Sequence, residues 1–254
     1  VNPHPPKPQL APVAALLADF SEAACQQAFR VERFGQTGEF PLIALTKRTP
    51  GPRPRIYLSA GIHGDEPAPP QTLLALLQSG FFADRAHWFI CPVLNPNGLQ
   101  RSTREDVYQR DLNRDYQHRQ SLEVRAHTDW LQRQPPFDLA LCLHEDWEAQ
   151  GFYLYELNRQ NRPSVASAIT RAVSAILPIE PAALIDGREI DEPGIIRPIS
   201  DPLLRTDWPE AIYLAAEFAP LCYTLETPSS FPLDQRIAAL RVAIDTCITT
   251  ATRV

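Results

Sequence analysis

Apolar residues recur every three or four positions at Val13, Leu16, Leu17, Phe20, Ala24 and Ala28, which predicts an amphipathic helix over residues 12–29. The period then changes. Residues 40–46, 55–59, 88–93, 138–143, 152–157 and 221–225 are short apolar runs rich in β-branched or aromatic side chains, the pattern of strands. Several are apolar at both parities, as strands covered on both faces must be. Helical spacing returns between them over 67–79, 119–133, 162–177 and 232–250, with Pro67 and Pro232 suited to first turns. This alternation predicts an α/β fold with one mixed, mostly parallel central sheet and helices on both faces.

Residues 178–209 fit neither period and carry Pro178, Pro181, Pro193, Pro198, Pro202 and Pro209 among scattered charges. A structureless stretch of this length in a compact domain is usually functional, and it is expected to wall an active-site cleft. No repeat or linker divides the chain, so residues 1–254 are read as one catalytic domain.

Composition narrows the class. A chain of 254 residues that is 44% hydrophobic can bury a full core without disulfide support, and its five widely spaced cysteines read as reduced thiols. A net charge of -6 without a Lys/Arg run argues against nucleic-acid partners and anionic membranes. No apolar run approaches the roughly 20 residues that span a bilayer, and the Pro-rich start lacks the pattern of an export signal. A cytoplasmic location is therefore expected.

Ligands of open α/β sheets bind beyond the carboxyl ends of the strands, and three predicted strands end in titratable residues. The first runs into Gly61-Ile62-His63-Gly64-Asp65-Glu66, the second delivers His144 and the third Glu226. Two imidazoles and a carboxylate suit one zinc ion with a position left for water. Each piece alone has a plainer reading, a hydrogen-bonded histidine or a chance HxxE; together they share one predicted sheet edge.

Further blocks follow in order: Asn95-Pro96-Asn97-Gly98 with Arg101-Ser102-Thr103-Arg104, then Asp111-Leu112-Asn113-Arg114-Asp115-Tyr116, Leu143-His144 and Thr224-Leu225-Glu226-Thr227. With the first, they resemble the zinc metallocarboxypeptidases, especially short bacterial members similar to murein peptide amidases. They resemble more distantly the succinylglutamate desuccinylases and aspartoacylases. The resemblance implies a zinc carboxypeptidase-like domain in which His63, Glu66 and His144 hold the metal and Asp111 orients His63. It further implies that Asn113 and Arg114 bind the substrate carboxylate, Arg104 faces the scissile carbonyl and Glu226 is the general base.

The implied partner is a peptide or acyl-amino-acid with a free carboxylate. The implied reaction is hydrolysis of the adjacent amide, by a metallocarboxypeptidase or peptide amidase. An N-acyl amino acid deacylase is the alternative, disfavoured because only 254 - 226 = 28 residues follow the base, too few for the β domain of those relatives. A third reading is a non-catalytic metal-binding protein on the same scaffold.

Three features depart from the family pattern. Glu145 and Asp146 follow the second histidine, where a small residue is usual; they could select a cationic substrate group, bind a second metal or face solvent. The substrate-capping tyrosine has Tyr213 as its nearest candidate. Gln109-Arg110 stands where the family has Gly-Val.

Overall fold

The computed structural model describes residues 12–185, 187–198 and 204–251. Their centre is a sheet of β1 (Arg30–Thr37), β2 (Phe40–Lys47), β3 (Arg55–Ser59), β4 (His87–Cys91), β5 (Leu139–Asp146), β6 (Tyr153–Asn158), β9 (Ile195–Ile196) and β10 (Leu221–Pro228). Its order is β1-β2-β4-β3-β5-β10-β6-β9. The interior run β4-β3-β5-β10 is parallel, as is β6-β9, while β1, β2 and β6 join antiparallel to their neighbours on the way to the centre. The mixed, mostly parallel α/β sheet expected from the pattern is present.

Helices cover both faces, which explains strands that are apolar at both parities. On one face α1 (Val13–Gln26), α2 (Ala68–Gln78), α5 (Ala166–Val173) and α7 (Leu233–Ala251) pack Phe20, Leu73, Ile169 and Ile244 onto Leu58, Leu141 and Leu225. On the other, α4 (Leu122–Leu131) and α6 (Glu210–Glu217) pack Trp130 and Leu214 against Tyr57, Phe89 and Cys142. Ser121 caps α4 by accepting the Val124 N–H, and its own hydroxyl donates to Asp115. Cys91, Cys142, Cys222 and Cys247 are buried free thiols; Cys25 is exposed.

Six elements escaped the periodicity. β1 is a charged, mostly half-buried hairpin strand, and α3 (Pro96–Arg101) is under two turns long. α6 has buried residues nearly all round, so no stripe marks it. The supposedly structureless 178–209 stretch contains β7 (Leu184–Ile185) paired with β8 (Arg188–Glu189), and β9, which extends the main sheet. Two-residue strands are too short to show any period.

Candidate active site

The parallel strands β3, β5 and β10 end side by side and deliver the candidate residues to one edge. After β3 the chain turns at Gly61, whose φ of 64° favours glycine. It then passes α3 so closely at Gly64 that an added Cβ would lie 1.9 Å from the Gly98 carbonyl carbon. This packing aims His63 and Glu66 inward. His144 lies on β5 directly beside Glu226 on β10.

One donor atom from each of His63, Glu66 and His144 falls within 4.8 Å of the other two, and all three side chains are buried. Glu66 lies between the imidazoles, with His63 Nδ1 at 2.5 Å from Oε1 and His144 Nδ1 at 3.1 Å from Oε2. The opposite nitrogen of His63 meets Asp111 Oδ1 at 3.2 Å, the orienting contact implied for Asp111. Burial disfavours a charged His63, yet Glu66 and Asp111 overcome it and raise the imidazole to about 9. Burial likewise opposes ionisation of Glu66, but His63 and His144 hold it down at about 2. The cluster thus favours positive charge at its centre. Two imidazole nitrogens and a carboxylate are a donor set that fits zinc.

Arg104 lies beside this cluster, its Nε donating to Asp111 Oδ2 at 3.2 Å and its Nη1 3.7 Å from Glu66. The site residues line a cavity of about 520 Å³ with Asn113, Arg114 and Glu226. Asn113 is oriented by the Glu210 N–H, which donates to its Oδ1 at 2.8 Å; Arg114 leans on Asp207 at 3.5 Å. Every candidate residue except Asp111 therefore faces one cavity, and Asp111 supports it from behind.

The 178–209 segment contributes Arg188 and Pro198 to the cavity wall, and Arg205 and Pro209 continue it, so the described part of the segment lies where the cleft was expected. Arg114, Arg188 and Arg205 all line the cavity, and Arg205 is held below its usual range by burial and then by Arg188, with Arg114 adding to the effect.

The departures resolve differently from expectation. Glu145 fits none of its three suggested roles: its carboxylate is buried, pairs with Arg236 and accepts the Ala68 N–H at 2.9 Å, tying α7 to the start of α2. Asp146 is half-buried at the cavity wall and accepts the Tyr153 hydroxyl at 2.9 Å. Tyr213 is a core residue against Tyr116 and Phe218 and does not line the cavity. Tyr153 and Tyr155 do, and their alternation along β6 was the signal available for them. Gln109, at the position of the family glycine, adopts a left-handed φ of 60°.

The fold is of the carboxypeptidase-like class. Residues 52–240 match the family model described as succinylglutamate desuccinylase/aspartoacylase catalytic domain, and the chain belongs to that family. The structure is similar to a provisionally named metallopeptidase from Shewanella denitrificans OS217, with TM-score 0.82 at 21% identity, over 95% of this chain and 91% of that one. A second such protein, from Shewanella amazonensis SB2B, gives 0.81 at 24% over 94% and 93%. A metallo-carboxypeptidase from Burkholderia cenocepacia gives 0.66 at 18% over 91% and 67%. No curated protein matches the chain by sequence. Among the described residues no helix is long and apolar enough to cross a membrane.

Proposed function

We propose that the protein is a zinc-dependent hydrolase that cleaves an amide whose amine side carries a free carboxylate. The observation that carries this reading is the convergence of the His63, Glu66 and His144 cluster, Glu226, Arg104, Asn113 and Arg114 on one cavity. His63, Glu66 and His144 would hold the zinc ion, which would act as a Lewis acid and lower the pKa of water toward neutrality. Arg114 and Asn113 anchor the substrate carboxylate and so fix the scissile amide. Glu226 accepts a proton from the attacking water and returns it to the leaving amine. Arg104, turned from Asp111 toward substrate, stabilises negative charge developing on the carbonyl oxygen.

Family membership supports an N-acyl amino acid as substrate. The near-full-length likeness to provisionally named metallopeptidases supports a peptide with a free C-terminus as the second reading. The grouping of Arg114, Arg188 and Arg205 favours an anionic substrate in either case. The test is a panel of N-acyl amino acids and C-terminal peptides, assayed with zinc-loaded wild type and Glu226→Gln. Wild type cleaves one class and the variant binds zinc without turnover. Stoichiometric zinc with no amide cleavage by wild type sinks the proposal.

A further inference from the structure

The general base has a tyrosine for a neighbour. Glu226 and Tyr153 are directly opposed across the antiparallel β10-β6 pair, so their side chains project from the same face, and both line the cavity. Tyr153 is buried, its ring in a small apolar cluster with Ala149, Ile185 and Ile196. Burial and then the Glu226 charge raise its hydroxyl well above the usual range, so Tyr153 keeps its single proton.

That proton is committed elsewhere. The Tyr153 hydroxyl donates to Asp146 Oδ2 at 2.9 Å, and Asp146 is fixed in turn because its Oδ1 accepts the Glu148 N–H at 2.8 Å. Asp146 lies on β5 two residues beyond His144 and opposite Pro228 of β10, past the Glu226 position. The phenol thus sits between two carboxylates and serves the outer one.

The choice has a chemical consequence. A phenol proton given to Glu226 stabilises its carboxylate and makes it a poorer proton acceptor. We infer that Asp146 is a positioning residue for the hydrolytic reaction: by accepting the Tyr153 proton it turns that hydroxyl away from the general base. Tyr153 itself transfers no proton, and Asp146 touches no reacting atom. This assigns the acidic residue that stands two positions after His144 a task in the reaction, and it rests on the function proposed above.

The test is a double-mutant cycle of Asp146→Ala, Tyr153→Phe and the pair, on zinc-loaded enzyme with the best substrate of the panel. Asp146→Ala frees the phenol proton for Glu226, and kcat falls about tenfold with KM and zinc content unchanged. Removing the hydroxyl as well rescues it: the double variant turns over within about twofold of Tyr153→Phe alone. Asp146→Asn leaves one oxygen for two donors, the Glu148 N–H and the Tyr153 hydroxyl, so it also loosens the phenol: its kcat falls in the same direction as that of Asp146→Ala, Tyr153→Phe rescues it too, and it serves if the alanine variant folds poorly. Wild-type kcat in Asp146→Ala, or a double variant as slow as Asp146→Ala, overturns the inference. Inactive wild type on the whole panel overturns the proposed function instead, so the two failures are distinct.

Discussion

Acid should destabilise this protein through one buried imidazole outside the His63, Glu66 and His144 cluster. His127 of α4 is 1% exposed, and both ring nitrogens are used: Tyr116 donates to Nδ1 at 2.7 Å, while Nε2 lies 2.9 Å from the Tyr57 hydroxyl. Because Tyr57 gives its own proton to Glu210, Nε2 is the donor in that contact, so the neutral ring satisfies the whole chain from Tyr116 to Glu210. A second ring proton would displace the bond from Tyr116 inside an aromatic cluster with Trp130 and Phe34. Burial accordingly lowers His127 from 6.5 to about 3.

The unfolded chain binds a proton on this histidine below pH 6.5 and the folded chain does not, so stability falls as pH falls. Each pH unit costs about 1.4 kcal/mol, or about 3 kcal/mol by pH 4.5, until the folded protein itself takes up the proton near 3. Above pH 6.5 the effect is absent. His127→Gln keeps one acceptor and one donor but does not titrate. It should be less stable than wild type at pH 8 by about 1–2 kcal/mol, and its stability should fall less steeply below 6.5. Urea unfolding of metal-free protein from pH 8 to 4.5, with ring NMR shifts, measures both. A His127 ring that titrates near 6.5 in the folded protein, or equal pH slopes for the two proteins, refutes the reasoning.

Three further outcomes follow from particular contacts. Arg236→Met leaves the Glu145 carboxylate buried without its cation, and chemical denaturation at pH 8 should show a loss of roughly 3 kcal/mol. Gly64→Ala forces the loop carrying His63 and Glu66 off α3, so calorimetric titration should show zinc affinity falling by at least about tenfold in protein that still folds. Gln109→Gly relieves an exposed left-handed residue, and denaturant midpoints should report a gain of about 0.5–1 kcal/mol.

Much of the fold and of the candidate site is carried by local sequence. Apolar periods placed the main strands and five helices because each element buries its own face, and the candidate site residues stand out because they follow or end strands that share a direction. Other features depend on partners remote in the chain. Glu145 reads as a charge beside a metal until Arg236, 91 residues later, is brought against it from α7. Tyr153 reads as an ordinary strand tyrosine until the register of β6 on β10 sets it opposite Glu226.

The sequence by itself determined the α/β order, the strand ends and the chemistry available at them, since spacing and side-chain type are properties of short segments. The tertiary structure alone decided which carboxylate pairs with which cation, where the phenol proton goes and which arginines gather at the cavity wall. Those outcomes rest on strand register and helix docking, which arise from burial summed over the whole sheet, so no single segment encodes them.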